Sequence, residues 1–183
     1  MDPNKNEILL DTNTFGKFLK REVDFEKLNN WKIYCTTAQR AEIDNTRDEK
    51  EREILQGIFK VIGPMTINSP VTAYGLGFYD VSRYAETNET DNFDKFKEEI
   101  RQLDLDAEMK GKKKLSQLTP EQRELNWAAD AMVIQGAMKV GKSCFLITND
   151  ETLRTLASDK KVRSAKLRTF IEEVNKPENL SHQ

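Results

Sequence analysis

The sequence predicts an α/β fold, in which short buried strands alternate with helices along the chain. Apolar runs at 8–10 and 143–147 are each followed at once by polar residues, as expected for buried strands that end in turns. Between such runs, apolar residues recur every three or four positions, the period of helices packed on a core. Ligands of open α/β sheets bind beyond the carboxyl ends of the strands, so Asp11 is predicted to be a functional acid. The alternative is that Asp11 or Thr12 only caps the next helix.

The composition predicts one domain that spans residues 1–183. The chain has 183 residues, of which 37% are hydrophobic and 33% charged, so it is long enough to bury a core. Its formal net charge of only -2 excludes the overall basic field that attracts nucleic acids. A polyanion would therefore have to meet a local basic patch.

The positions of the cysteines and the histidine limit which side chains can act as catalytic groups or metal ligands. Cys35 and Cys144 both lie in strand-like apolar runs, which predicts buried, reduced thiols and a cytoplasmic protein. The apolar runs are short, and we expect neither a signal peptide nor a membrane partner. The one histidine, His182, is next to last, which argues against His-dependent nucleophilic catalysis and His-ligated zinc. Carboxylates are left to carry any chemistry.

The first third of the chain follows the alternating pattern. Strands are predicted at 7–13 and 31–35, and helices at 14–29 and from Ala38 to residue 62. The second helix carries Glu42 in its first turns. It is predicted to cross 44–53, where no apolar residue occurs, as a solvated arm. Gly63 and Pro64 end it.

Residues 64–119 are predicted to form an insert of loops and helices. Short helical pieces are expected at 81–85 and 93–105. A basic run with four lysines occupies 110–114. Two interpretations of this run stay open: it is a solvated loop, or it contacts the phosphates of a nucleic acid.

A strongly marked helix follows the insert and contains an acid. Thr119 and Pro120 are typical of a helix start, and the helix is predicted to reach Val140. Asp130 lies inside it, and most of its neighbours three and four positions away are apolar. Because a buried, unpaired carboxylate is very unfavourable, we expect a cation or a hydrogen-bond donor beside Asp130.

The strand at 143–147 repeats the pattern of the first strand. It ends in Thr148, Asn149 and Asp150, and the first strand ends in the sequence Asp-Thr-Asn that begins at Asp11. Two strands that present acids in this way, together with Asp130 on a core-facing helix, predict a shared acidic cluster. A further helix is expected from Thr152, and a last strand and turn at 165–174.

Residues 136–143 match the P-loop pattern G-x-x-x-x-G-K-[ST], but the order of the elements argues against a phosphate site. A P-loop follows a strand and opens a helix whose amides face the phosphates. Here a predicted helix precedes the motif and a strand follows it. Gly141 and Lys142 are therefore interpreted as a helix end and a cation beside it.

Carboxylates gathered without histidine or thiolate form a hard-oxygen site, which suits Mg²⁺ or Mn²⁺. Such ions lower the pKa of a bound water and stabilise the attacking and leaving oxygens of an in-line displacement at phosphorus. The Thr and Asn side chains beside the acids are placed to orient water or a phosphate oxygen.

Four segments together resemble the PIN-domain nucleases, and most closely the VapC-type ribonuclease toxins of toxin–antitoxin modules. They are LLDTN at 9–13, the helix with Glu42, ADAMVIQGAMKVG at 129–141 and CFLITND at 144–150. The resemblance covers roughly 7–62 and 119–155. It implies an acidic quartet of Asp11, Glu42, Asp130 and Asp150. The supporting polar residues that it implies are Thr12, Asn13, Thr148 and Asn149.

The resemblance also implies a fold and a reaction. The fold is a three-layer α/β/α sandwich with a central parallel sheet, and the reaction is metal-dependent endonucleolytic hydrolysis of RNA. The quartet would hold one or two Mg²⁺ or Mn²⁺ ions. An antitoxin protein and a second copy of the chain are the expected partners besides RNA. Cations that either contact substrate phosphates or are solvated surface charges are Arg40, Lys142, Arg154, Lys112, Lys113 and Lys114.

Two other functions compete with this one. A haloacid-dehalogenase-type phosphatase also begins with an Asp after an apolar strand, but it needs a second Asp two residues later, where this chain has Asn13. The other is a non-catalytic PIN-like module that binds RNA or protein. The presence of all four acids argues against that module.

Overall fold

The computed structural model describes residues 7–20, 25–67, 70–71, 83–84 and 87–174. Its strands are β1 Glu7–Leu10, β2 Lys32–Thr36, β3 Met65–Ile67, β4 Pro70–Val71, β5 Arg83–Tyr84, β6 Cys144–Ile147 and β7 Arg163–Ala165. Its helices are α1 Thr12–Leu19, α2 Thr37–Asp44, α3 Glu49–Ile62, α4 Thr87–Met109, α5 Pro120–Val140, α6 Glu151–Asp159 and α7 Leu167–Val174. Short 3₁₀ helices lie at Phe25–Leu28 and Leu115–Gln117.

Five strands form the central sheet, in the order β3-β2-β1-β6-β7, and every neighbouring pair is parallel. Strands β4 and β5 form a separate parallel pair. Helices cover both faces of the central sheet, so the predicted three-layer α/β/α sandwich with a parallel sheet is confirmed. No helix of the described residues is long and apolar enough to cross a membrane.

The two cores follow from the alternation of side chains along the strands. In β1, Leu9 packs with α4, α5 and α6 on one face, whereas Ile8 and Leu10 pack with α1, α3 and α7 on the other. Strand β6 continues this division in register, because Leu9 pairs with Leu146 and Leu10 with Ile147. Ile8, Leu9 and Leu10 of β1 and Leu146 and Ile147 of β6 are fully buried, which explains the continuous apolar runs of the two strands.

The sheet changes direction between β1 and β6. From β1 the chain builds β2 and β3 on one side, and it then returns to place β6 and β7 on the other side. Such a switch point opens a crevice at the carboxyl ends of the two central strands, where α/β proteins bind ligands. Asp11 follows β1 directly, and Thr148 follows β6 directly.

The helix predicted from Ala38 to residue 62 is in fact two helices. Helix α2 ends at Asp44, and Asp48 starts α3 by accepting a hydrogen bond from the Glu51 amide at 2.8 Å. The charged stretch at 44–53 has no apolar face to hold it on the core, so a break there loses little packing. Gly63 ends α3 in the left-handed region, with φ of 58°, as predicted.

The first part of the chain differs from its prediction at the element ends. Strand β1 stops at Leu10 instead of residue 13, because α1 already begins at Thr12. The single helix predicted at 14–29 is wrong, since α1 ends at Leu19 and a 3₁₀ helix occupies Phe25–Leu28. Part of that prediction, residues 21–24, lies outside the described residues.

The insert at 64–119 contains sheet as well as helix. Strand β3 adds to the edge of the central sheet beside β2, and its three residues are too few to show a period in sequence. The helical piece predicted at 81–85 is wrong for Arg83–Tyr84, which pair with Pro70–Val71; the other three positions lie outside the described residues. The predicted helix at 93–105 is confirmed within α4, which packs along α5.

Helix α5 approaches the sheet closely at Gly136. A Cβ atom there would lie 2.7 Å from the Thr36 Cγ2 atom and 3.1 Å from the Leu9 Cδ1 atom. The first glycine of the P-loop pattern is thus needed for packing. As predicted, α5 precedes the motif and β6 follows it, so the motif does not have the strand–loop–helix order of a phosphate site.

Candidate acidic active site

The carboxyl ends of β1 and β6 are joined by a hydrogen-bond network. The Thr148 hydroxyl donates to Asp11 Oδ2 at 2.6 Å, and Asn13 Nδ2 donates to the same oxygen at 2.6 Å. The Asn149 amide donates to Asn13 Oδ1 at 3.2 Å, and the Asp150 amide donates to the Thr148 hydroxyl at 3.0 Å. These polar residues, three of the four predicted supporting residues, therefore fix the position of Asp11.

Asp11 is not simply a helix cap. It occupies the N-cap position of α1, but its side chain makes no capping hydrogen bond. It is 6% exposed, and burial raises the pKa of its carboxyl from the ordinary 3.8 to about 6, with Glu42 and Asp150 adding repulsion and the Thr148 hydroxyl opposing it. The Thr12 amide at the start of α1 also lowers the pKa of this carboxyl, so Asp11 interacts with the helix start as well as with the polar network of the crevice.

Glu42 is carried to the crevice by α2, which is tied firmly to the sheet. Thr36 and Gln39 form a capping box at its start. The Gln39 side chain is buried and also donates to the Leu10 carbonyl at 2.6 Å, at the end of β1. One turn further along α2, Glu42 is exposed to solvent as a residue, but the protein around its carboxyl partly desolvates that group and raises its pKa, and the nearby Thr12 hydroxyl offsets this in part. Sequence reasoning did not identify Gln39 as a positioning residue.

Asp130 reaches the crevice from the middle of α5. Burial raises the pKa of its carboxyl well above the ordinary value, and the charges of Asp11 and Asp150 raise it further. The charge of Lys113 opposes the shift. Among the described residues, no hydrogen bond to the carboxylate offsets its burial. The cation predicted beside Asp130 is thus Lys113, and it compensates only in part.

Asp150 is both a helix cap and a partner of Lys113. Its Oδ1 atom accepts a hydrogen bond from the Leu153 amide at 3.0 Å, which caps α6. Its Oδ2 atom accepts one from Lys113 Nζ at 3.0 Å. Both oxygens of this carboxylate therefore have protein partners, in contrast to those of Asp130.

A fifth acid, Asp104 of α4, was missed by sequence reasoning. It is 4% exposed, and it accepts hydrogen bonds from Lys113 Nζ at 2.5 Å, Thr152 Oγ1 at 2.6 Å and Trp127 Nε1 at 3.1 Å. Its position one turn after Ile100, on the apolar side of α4, was the available signal. That signal is weak, because α4 contains many acids.

All four predicted acids line one cleft of about 410 Å³. Asp104, Lys113, Lys114 and the predicted Thr12 and Asn13 line it too. The remaining lining residues are Leu115, Leu118, Asn126 and Ala129. The four predicted acids therefore lie around one cleft at the switch point of the sheet.

The predicted cations are divided between different places. Lys113 and Lys114 line the acidic cleft, whereas Lys112 lines an adjacent cleft and pairs with Glu151 at 3.6 Å. Arg154 lines a separate surface cleft along α6. Arg40 lies close enough to Cys35 to influence the pKa of its thiol. Arg40, Lys142 and Arg154 are not among the described residues that line the acidic cleft.

The donor set of the cleft fits a hard divalent cation in its chemistry. It offers carboxylate oxygens and the side chains of Thr12 and Asn13, which suit Mg²⁺ or Mn²⁺. Within the described ranges, no group of three or more Asp, Glu, His and Cys side chains is close enough to hold an ion together. The two carboxylates whose pKa values burial and mutual repulsion raise most, Asp11 and Asp130, are those that a cation would relieve.

The two cysteines lie outside this chemistry. Both are free and buried, as predicted. Burial raises the pKa of the Cys35 thiol to about 11 and that of the Cys144 thiol to about 12. The thiolate forms that could act as nucleophiles or metal ligands are therefore disfavoured.

No protein-family model matches this sequence, and no curated protein matches it significantly. The resemblance to PIN-domain nucleases accordingly stays a prediction.

Proposed function

We propose that this protein is a Mg²⁺- or Mn²⁺-dependent nuclease that hydrolyses phosphodiester bonds in RNA at the acidic cleft. The observation that carries the proposal is the gathering of Asp11, Glu42, Asp130 and Asp150 in one cleft. They come from four separate positions in the chain and meet at the switch point of a parallel sheet. Burial, together with the charges of neighbouring acids, raises the pKa values of Asp11 and Asp130, and perturbed pKa values of this kind are typical of active sites.

The acids would hold the ion, and the other residues would keep the acids in place. Asp11 and Asp130 are the main candidate ligands, because Asp130 has no donor among the described residues and Asp11 is aimed at the cleft. When bound, the ion would lower the pKa of a water and stabilise charge on the phosphate oxygens. Thr148 and Asn13 hold Asp11 in position by hydrogen bonds to Oδ2.

The choice of RNA rests on the sequence resemblance, and the cleft is compatible with a phosphodiester. Lys114 lines it without an ion pair among the described residues, so its ammonium group is available to a phosphate oxygen. A toxin role, an antitoxin partner and a homodimer belong to the proposal on the same ground. The buried, reduced cysteines support a cytoplasmic location.

The phosphatase alternative is disfavoured by Asn13. That family needs a carboxylate at this position, whereas both ends of the Asn13 amide are used in hydrogen bonds, to Asp11, Thr148 and Asn149. An Asp there could not donate to Asp11 when ionised. Asn13 is thus a positioning residue of the cleft.

The test is cleavage of end-labelled RNA and single-stranded DNA pools in Mg²⁺, Mn²⁺ or EDTA. Wild type should cleave RNA only with metal, and Asp130→Asn should not cleave it. Asp94→Asn, the same chemical change at an exposed position of α4, is the matched control and should retain full activity. If wild type leaves every pool intact in both metals, the nuclease proposal is wrong and a binding module becomes the better hypothesis.

A further inference from the structure

Lys113 places a positive charge inside the acidic cleft. Its Nζ atom donates to Asp104 Oδ1 at 2.5 Å and to Asp150 Oδ2 at 3.0 Å. The side chain is 26% exposed, so most of it is withdrawn from solvent. Burial alone would lower the pKa of Lys113, but its hydrogen bonds and the charges of Asp104 and Asp150 outweigh burial and raise it. The ammonium form is therefore the stable one.

Asp104 holds Lys113 in this place. The Asp104 side chain is 6% exposed, and Thr152 and Trp127 donate to it from two other helices, α6 and α5. Its orientation is thereby fixed before Lys113 is considered. If Lys113 moved away, the buried Asp104 carboxylate would lose its paired cation, which is energetically costly. We therefore expect Lys113 to stay at Asp104 when a substrate binds.

The ammonium divides the cleft into two electrostatically different sides. On the Asp150 side, the carboxylate oxygens are already bonded to Lys113 Nζ and to the start of α6. On the Asp11 side, the cleft is lined by Asp11, Glu42 and Asp130. No described cation forms an ion pair with any of these three acids. These three acids therefore form the part of the cleft in which no described cation is paired with a carboxylate.

We propose that Lys113 is the resident cation of the Asp150 side of the cleft, and that the cleft therefore binds one divalent ion, on the Asp11 and Asp130 side. The inference rests on the proposed function for the identity of the ion. Lys113 is a positioning residue in this account, since it acts through Asp150, and it stands where a second ion would otherwise be needed to balance the acids.

The total charge of the cleft supports one ion. Five carboxylates and two lysines line it, so its formal charge is about -3 when all are ionised. One divalent ion leaves a slightly negative cleft, whereas two would make it positive before any substrate arrives. Removing the ammonium of Lys113 should therefore make the cleft more negative and free an oxygen of Asp150 as a ligand. Both changes favour the binding of a second ion.

The test is the number of Mn²⁺ ions bound per chain, measured by the electron paramagnetic resonance signal of free Mn²⁺ during titration. The proteins are wild type, Lys113→Met, Lys113→Arg and Asp130→Asn. We expect one ion in wild type, two in Lys113→Met, one in Lys113→Arg, and loss of the single ion in Asp130→Asn. Two ions in wild type, or one in a folded Lys113→Met, would overturn the inference.

A second measurement uses the wild-type chain alone, in case Lys113→Met does not fold. The ammonium protons of Lys113 are observed by ¹H–¹⁵N correlation NMR with and without saturating Mg²⁺. We expect their slow exchange with water to persist in Mg²⁺, because the ion does not displace Lys113 from Asp104. Loss of that protection on adding Mg²⁺ contradicts the proposal.

The binding experiments separate this inference from the nuclease proposal. If wild type binds one ion and Lys113→Met binds two, but RNA is not cleaved, Lys113 has the assigned role and the nuclease function is wrong. If RNA is cleaved and wild type binds two ions, the function stands and the role of Lys113 is wrong.

Discussion

The two ends of strand β1 carry acids in opposite states. At the amino end, Glu7 accepts hydrogen bonds from Ser143 and Tyr34, both at 2.9 Å, and from Lys32 at 3.4 Å. Burial alone would raise the pKa of its carboxyl, but these three partners outweigh burial and lower it. At the carboxyl end, the pKa of Asp11 is raised to about 6, because burial and other acids surround it.

The difference shows that this fold supplies hydrogen-bond donors and a cation to the carboxylate at one end of β1. At the other end it leaves a carboxylate among other acids. Glu7 has partners from β2 and from the turn before β6, and it acts as a structural link between neighbouring strands. Asp11 faces Glu42, Asp130 and Asp150 instead of cations. Repulsion between acids that is confined to one end of the strand is expected when that end binds a ligand.

The largest expected effects come from removing the carboxylate charge at each end of β1 in turn. Asp130→Asn should abolish metal-dependent RNA cleavage, and it should stabilise the metal-free protein by about 1 kcal/mol or more, because a poorly compensated buried charge is removed. Glu7→Gln should do the reverse, with activity retained and stability reduced by about 1 kcal/mol. Chemical denaturation in EDTA and the cleavage assay measure both. A destabilised Asp130→Asn would contradict the comparison.

The pH dependence of stability should also differ between the two ends. A carboxyl whose pKa is raised by folding binds its proton more tightly when folded, so its contribution to stability falls as pH rises from its unfolded to its folded pKa. For Asp11 this window runs from 3.8 to about 6. Glu7, with its lowered pKa, contributes with the opposite sign, and its contribution is lost as the pH falls.

The measurement is the free energy of unfolding of wild type and Asp11→Asn in EDTA between pH 4 and pH 7. The stability of Asp11→Asn relative to wild type should increase by about 1–3 kcal/mol across the window. If the difference in unfolding free energy between the two proteins does not change with pH, the pKa of Asp11 is not raised by folding.

Close packing of α5 on the sheet gives the next prediction. Gly136→Ala should destabilise the protein by about 1–3 kcal/mol, because its Cβ atom would lie 2.7 Å from Thr36 Cγ2. Gly57→Ala in α3 is the control, since nothing lies within 4 Å of its Cβ position, and it should be neutral or stabilising by up to about 1 kcal/mol. Thermal unfolding compares the two. Equal effects would refute the close approach.

The smallest effect is expected from removing the Thr148 hydroxyl, which donates a hydrogen bond to Asp11. Thr148→Val removes the donor to Asp11 Oδ2 and leaves that buried carboxyl with fewer partners. We expect a loss of about 1 kcal/mol in stability at pH 7 and weaker Mn²⁺ binding. Thr155→Val, at an exposed position of α6, is the matched control and should leave Mn²⁺ affinity unchanged.

Local signals in the sequence predicted much of the fold and of this site. The apolar runs that are followed by Asp11 and Thr148, and the helix start at Thr119 and Pro120, act over a few residues and are confirmed. Parallel pairing then brings the ends of β1 and β6 together, so the Asp11–Thr148 network follows once the strands are identified.

The rest depends on distant contacts. The Asp104–Lys113 pair forms only because α4 packs along α5 and the following loop turns back to α6. The spacing of Asp104 from Ile100 distinguishes it only weakly from the other acids of α4. The break between α2 and α3 and the short edge strand β3 likewise reflect tertiary competition that overrides weak local preference.

We expect the poorly compensated acids at the carboxyl end of β1 to bind a divalent cation. The most direct test is a thermal-shift titration with Mn²⁺ at pH 7 on wild type, Asp130→Asn and Asp94→Asn. Wild type and Asp94→Asn should gain stability with increasing Mn²⁺, by about 2.7 kcal/mol at one hundred times the dissociation constant, and Asp130→Asn should not. Equal responses of all three proteins, or no response in any, would contradict the account.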